Sequence, residues 1–375
     1  MLGKAALAGL AAVVVAACAT TLPSDPARLA ALTPELGQLL LVGFSGTEAE
    51  GDVEVERLLC ELHVGGILLF ARNITDETQV ARLTAALRER ARACTDRPLL
   101  IAVDAEGGRV MRLGPPAGYS PVFSAEELGQ ANDLTMTELE ARRIATRLRA
   151  AGINWNLAPV VDVGYNPANP VIVGPGRSFG ANPVLVTSHA RAFIRGMRDE
   201  GILTALKHFP GHGSSFADSH RGFVDVTDTA NPDVELLPYR TLIAERLAES
   251  VMTAHVVNRR LDPRHPATLS RPTVTGLLRE QLGFDGLVVS DDLRMGAIEN
   301  HYGLGQAAVR ALAAGVDVLL IADDRLPDGR SAAEVALTAI GKALARGRLD
   351  LGRVEAALAR LAALRARLPN AARSP

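Results

Sequence analysis

A (β/α)8, or TIM, barrel is the fold this sequence predicts, and three observations predict it. First, eight short and almost continuously apolar segments recur along the chain, at 39–44, 64–70, 99–104, 153–159, 204–210, 250–256, 286–292 and 315–322. Strands covered on both faces read this way, because neither face can carry polar side chains into water. Second, amphipathic Ala/Leu/Arg-rich stretches separate them, most clearly at 81–93, 138–151, 183–200 and 306–314. Alternation of strand and helix implies a parallel sheet with helical crossovers. Third, roughly 330 residues hold all eight units, and no Gly-rich phosphate loop follows the first strand. That favours a closed barrel over the alternative, a doubly wound open sheet.

Taken in order, the units are uneven. The intervals after the third, fourth and fifth strands exceed what a loop and a helix require. The surplus belongs in loops at the strand C-terminal face, where barrel enzymes build their sites. After the eighth strand, 349–368 reads as one closing helix, with no signal of a second domain. The expected layout is one barrel domain over 32–368 and a frayed tail over 369–375.

The N-terminus stands apart from this pattern. Lys4 precedes an apolar run over 5–17 that ends Val15-Ala16-Ala17-Cys18. As a helix the run would be roughly 20 Å long, short of the ~30 Å hydrocarbon core of a bilayer. It reads as a secretory signal peptide. A Cys directly after small residues resembles the lipobox of bacterial lipoproteins, in which the Cys is lipidated and becomes the new N-terminus. An ordinary signal peptide with a coincidental Cys is the other reading. The lipobox reading gives a leader over 1–18, lipidation at Cys18, a tether over 19–31, and an exported protein anchored to the membrane of the cell envelope. The remaining cysteines, Cys60 and Cys94, each lie near the end of an expected helix. A disulfide between them and two buried free thiols are both open. Lys and Arg number 40 against 42 Asp and Glu, interspersed. No basic stripe marks a nucleic-acid partner.

Polar residues at the strand ends carry the chemistry. The third strand closes on Asp104, in Val103-Asp104-Ala105-Glu106-Gly107-Gly108-Arg109-Val110-Met111-Arg112. A carboxylate ending an apolar strand is costly to bury unless paired or bound. It suits gripping sugar hydroxyls, and equally capping a helix or pairing with Arg109 or Arg112. After the fourth strand, Gly176-Arg177-Ser178-Phe179-Gly180 offers a guanidinium fork. The fifth ends Lys207-His208-Phe209-Pro210-Gly211-His212-Gly213, with Asp218-Ser219-His220 close behind. An ammonium at a barrel rim needs acceptors, and an Asp two residues before a His can orient the ring. The seventh ends Ser290-Asp291-Asp292-Leu293. On a period-two strand these carboxylates face opposite ways, one into the barrel mouth and one toward a cap at 294–296. His208, His212, His220, Asp291 and Asp292 lack any recognised zinc spacing, so no metal or other cofactor is expected.

Together these motifs resemble glycoside hydrolase family 3, over roughly residues 32–364. Within it they resemble the β-N-acetylhexosaminidase branch that trims N-acetylglucosamine from peptidoglycan fragments. The resemblance implies a retaining exo-β-N-acetylglucosaminidase. Asp291 would be the nucleophile and Asp218 with His220 the acid/base dyad. Asp104, Arg112, Arg177, Lys207 and His208 would hold the terminal sugar. A glycan containing N-acetylglucosamine is then the expected partner, with peptidoglycan and chitin fragments both open. Other branches take their acid from a second domain, which argues against a β-glucosidase. Phosphorolysis is an alternative on the same scaffold, because a His does not repel phosphate as a carboxylate would. A non-catalytic glycan-binding lipoprotein is the alternative of another class. A single tryptophan, Trp155, suggests a small pocket and not a long stacking cleft. Two departures stand out: Ser214-Ser215, where relatives often carry an acidic residue and Thr, and Asn182, where Asp is common.

Overall fold

The computed structural model describes residues 25–369. Eight strands form the inner wall: β1 (Leu40–Gly43), β2 (Gly66–Leu69), β3 (Leu100–Val103), β4 (Trp155–Asn156), β5 (Leu203–Phe209), β6 (Ser250–Thr253), β7 (Leu287–Ser290) and β8 (Leu319–Ile321). Each pairs in parallel with its neighbour in sequence from β1 to β7, and β8 pairs with β1. The ring closes between β7 and the approach to β8, where Ser290 N–H donates to Val318 O at 2.9 Å and Val318 N–H to Val288 O at 3.0 Å. The (β/α)8 barrel expected from the sequence is the fold.

Strand alternation explains the two apolar cores. Leu41, Leu68, Leu100, Ala102, Trp155 and Leu287 point inward and fill the barrel. Leu40, Val42, Ile67, Leu69, Ile101 and Val103 point outward and pack under the helices. The indole N–H of Trp155 donates to Ser250 Oγ at 3.2 Å, so its one polar group is satisfied inside. This tryptophan fills the barrel and lies away from solvent.

β4 is shorter than its apolar run. Asn156 turns its side-chain amide onto Ala105, accepting from its N–H at 3.0 Å and donating to its C=O at 2.9 Å. Pro159 has no N–H to continue a ladder. The chain rejoins the sheet at Val160, opposite Lys207.

The C-terminal helix, Leu351–Arg365, closes the end of the barrel where strands begin. Leu361 and Leu364 join the interior core. Arg353 and Arg360 reach Asp317 Oδ1, just before β8, at 2.6 and 3.2 Å. A short helix, Pro26–Leu32, starts inside the stretch read as a tether. Asp25 caps it by accepting from Ala27 N–H at 3.0 Å, and Arg28 pairs with Glu355 at 2.6 Å. Residues 1–24, with Cys18, and 370–375 lie outside the described residues. No described helix is long and apolar enough to cross a membrane.

Cys60 and Cys94 form a disulfide, with Cα atoms 5.2 Å apart and 34 residues of sequence separation. Of the two states the sequence left open, the bonded one is present. Closing a loop of that size stabilises the fold by roughly 3–4 kcal/mol through the unfolded chain. A Cys60→Ser/Cys94→Ser double variant is expected to lose about that much in equilibrium urea unfolding. Loss below about 1 kcal/mol would show that native contacts, not loop closure, decide stability here.

Candidate active site

A pocket of ≈ 450 Å³ opens at the strand C-terminal ends. All eight residues that the sequence singled out for binding or catalysis line it: Asp104, Arg112, Arg177, Lys207, His208, Asp218, His220 and Asp291. They come from the ends of β3, β5 and β7 and from the long loops after β3, β4 and β5, as the uneven spacing anticipated.

On one side lies a buried ion cluster. Lys207 Nζ reaches Asp104 Oδ1 at 2.7 Å and Glu106 Oε1 at 2.6 Å. Arg177 clamps Glu106 with two bonds of 2.8 Å, from Nε and from Nη2. Burial alone would drive Glu106 toward its neutral form, but the guanidinium and the ammonium outweigh it and hold the carboxyl far below its ordinary value. The same pairing, again against burial, raises Arg177 and Lys207. Arg112 stands 3.5 Å from Asp104, which settles its partner in favour of Arg112 over the exposed Arg109. Arg177 therefore spends most of its fork on Glu106. Lys207 keeps one ammonium proton uncommitted.

Lys207 and His208 both face this pocket although they are adjacent. The β5–β6 register shifts between Leu206 and Phe209, and such irregularities re-aim side chains at barrel rims. His208 Nδ1 lies 2.7 Å from Asp162 Oδ2. A carboxylate acceptor puts the proton on Nδ1 and leaves Nε2 facing Arg177 Nη2 at 3.4 Å. Burial raises Asp162, yet His208, His212 and the His212 N–H (2.8 Å) together bring it below its ordinary value. The sequence reading missed Asp162. It ends the apolar run Val160-Val161, the same signal that flagged Asp104, but falls after the proline that was taken to close the strand. Glu106 was quoted in a motif without a role.

Beneath the turn, Gly213 has no room for a side chain, since a Cβ would lie 1.9 Å from Val163 O. His212 is buried, with Nδ1 2.7 Å from Ser215 Oγ and Nε2 3.0 Å from Ser219 Oγ. Burial lowers its pKa to about 4, so the ring is neutral at neutral pH. Glu235, which accepts from Ser214 N–H at 3.3 Å, is pushed up to about 7 by burial. The two serines thus hold this turn from inside. The other departure, Asn182, is a helix N-cap whose oxygen accepts from Val184 N–H at 2.9 Å. Asn caps as well as Asp.

Across the pocket lie the two consecutive aspartates. Asp292 Oδ1 accepts from Arg294 N–H at 3.1 Å and Ala322 N–H at 3.0 Å. Burial still raises it to about 6. Asp291 is half-buried, and its desolvation by itself raises it, but His255, His208 and His220 together with the Asp292 N–H carry it below its ordinary value. Among the described residues it makes no salt bridge, and its one hydrogen bond is 2.8 Å from the Asp292 N–H. His255, a second residue the sequence reading passed over, spans this turn. Its Nε2 donates to Asp292 O at 2.8 Å, and Thr268 Oγ1 lies 2.8 Å from its Nδ1. Packed against the segment that follows these aspartates, the 218–220 loop brings Asp218 Oδ1 to the His220 backbone N–H at 2.9 Å and to its Nδ1 at 2.7 Å. Nε2 of this exposed ring is left for a ligand.

The pocket can therefore offer one unpaired ionised carboxylate, one oriented imidazole, and a wall of paired charges suited to hydroxyls. Comparison with known proteins gives the family. Residues 31–364 match the family described as glycosyl hydrolase family 3 N terminal domain. Beta-hexosaminidase LpqI of Mycobacterium tuberculosis is 36% identical over 363 residues, 93% of this chain and 87% of the relative. Beta-hexosaminidase A of Pseudoalteromonas piscicida is 35% identical over 86% of this chain, which spans only 56% of that longer protein. A glycoside hydrolase family 3 β-N-acetylglucosaminidase from Paenibacillus superposes with a TM-score of 0.84 at 41% identity, covering 90% of this chain and 62% of that one. The structure of M. tuberculosis LpqI gives 0.77 at 36%, covering 92% and 97%. A barrel matched almost end to end, with its polar strand ends gathered on one pocket, places this chain in glycosyl hydrolase family 3.

Proposed function

We propose that the chain is a retaining, exo-acting β-N-acetylglucosaminidase that removes terminal N-acetylglucosamine from peptidoglycan fragments or related oligosaccharides. The observation that carries this is Asp291, an ionised carboxylate in the pocket with no salt-bridge partner among the described residues. The hexosaminidase names of its relatives support the sugar. Asp291 attacks the anomeric carbon while the glycosidic C–O bond breaks. His220 gives its Nε2 proton to the departing oxygen, oriented through Nδ1 by Asp218. Water, losing a proton to His220, then displaces Asp291 and returns the β-anomer. Asp104, Lys207, His208 and Arg112 hold the sugar's hydroxyls, and Arg177 holds Glu106 and Lys207 in place for them. The disulfide supports an oxidising compartment and so an exported protein, anchored through Cys18.

A fluorinated N-acetylglucosaminyl probe with mass-spectrometric mapping tests the chemistry. The label is expected on Asp291, and NMR of the first product should show retention. A label on Asp292, or an inverted product, removes the assignment. Running the reaction with and without phosphate separates hydrolysis from phosphorolysis. Comparing nitrophenyl N-acetylglucosaminide with the glucoside fixes the sugar.

A further inference from the structure

The loop carrying Asp218 and His220 docks on the turn that carries Asp291. The carbonyl of His220 accepts the Gly296 N–H at 3.2 Å, and that of Ser219 accepts the Ala297 N–H at 3.1 Å. Gly296 and Ala297 open the short helix Gly296–Glu299, directly after the turn that follows Asp291. That turn is fixed by the Asp292 side chain and by the Met295 N–H donating to Asp292 O at 3.0 Å. A third hold comes from beneath, where Ser219 Oγ meets His212 Nε2. Two backbone hydrogen bonds thus join the acid/base loop directly to the nucleophile's own turn.

The docking depends on a missing side chain. A Cβ on Gly296 would lie 2.9 Å from the backbone C and O of Arg221 and 3.0 Å from His220 O. These are backbone atoms, so no side-chain rotation relieves the contact. The loop would have to lift. Gly296 is not in the left-handed region, so alanine suits its own backbone and is the better helix former by about 1 kcal/mol. The substitution therefore acts on the neighbouring loop and not on the turn itself.

We propose that Gly296 is a positioning residue for the acid/base. Its bare Cα lets the 219–220 carbonyls dock on the 296–297 N–H groups, which sets the His220 ring at the correct distance from Asp291. The inference rests on the assignment of His220 as proton donor, and the test separates the two.

Proton donation matters for poor leaving groups and hardly at all for very acidic ones. Gly296→Ala should lower kcat/KM on a methylumbelliferyl or disaccharide N-acetylglucosaminide by roughly 10- to 100-fold, part of the 10²–10⁴-fold that general acid catalysis supplies. On the dinitrophenyl glycoside kcat/KM should change less than about threefold, because that glycoside needs no proton and so forgoes this contribution. Ser219→Ala, which adds no bulk and removes the His212 contact, should steepen the leaving-group dependence in the same sense, and it keeps the test alive should Gly296→Ala fold poorly. Equal losses on both substrates, or none on either, in both variants would overturn the proposal. His220→Ala belongs in the same series. If it does not steepen the dependence, the proton-donor assignment itself falls. If it does and the other two variants do not, only the docking inference falls.

Discussion

Asp291→Ala is expected to reduce kcat/KM on aryl N-acetylglucosaminides by roughly 10⁴-fold or more, the scale on which removing a covalent nucleophile acts. Asp292→Asn should cost far less, on the order of tenfold. The contrast follows from what each carboxylate already holds. Asp292 spends Oδ1 on the N–H groups of Arg294 and Ala322, and an amide oxygen can accept both of those bonds. Its raised pKa, about 6, also makes it the poorer anion of the pair. Asp291 keeps its charge below the ordinary range and accepts a single bond from its own chain neighbour. Initial rates of both variants, with matched thermal melts to confirm folding, decide the matter. Comparable losses in the two would mean that the turn acts as a unit and that neither oxygen can be singled out.

The strands were legible because burial on both faces forces near-continuous apolar runs, and the register of β1, β2, β3, β6 and β7 falls inside those runs. β4 was over-read, since Asn156 and Pro159 end its pairing for reasons no hydropathy pattern carries. Of the helices not singled out from the sequence, Pro232–Ala244 carries Pro238 in its interior, which interrupts the helical pattern. Of the site, the groups at strand ends were visible because a charge closing an apolar run is unusual. The support beneath them was not. Asp162 and His255 act through contacts between residues 37 to 46 positions apart in the chain, Asp292 for His255 and His208 for Asp162. Sequence spacing gives no hint of such pairs. The division of labour at Arg177 was also hidden. A guanidinium between glycines looks available to a ligand, and only the fold shows Glu106 already in its fork.

That fork makes Arg177 the residue on which the pocket wall should depend most for stability. In Arg177→Met the buried Glu106 loses both guanidinium bonds and keeps Lys207 alone, which it shares with Asp104. Breaking a buried ion pair from one side typically costs about 3–5 kcal/mol, because the remaining charge cannot be rehydrated. A loss of that size in urea unfolding is expected. Replacing both partners, as Arg177→Met/Glu106→Gln, should cost less than the two single losses added, with a coupling of at least about 1 kcal/mol. Strict additivity would mean that water already reaches Glu106 and that the pair does not act as a buried one. The single variant should also lose sugar binding beyond its loss of stability, since Lys207 would then be drawn toward an unclamped Glu106 and away from the hydroxyls it faces. A raised KM in the fraction that remains folded, with the leaving-group dependence of kcat/KM unchanged, separates this wall from the dyad opposite it. That outcome would assign the sugar to the wall of paired charges and the departing group to the Asp291 and His220 side.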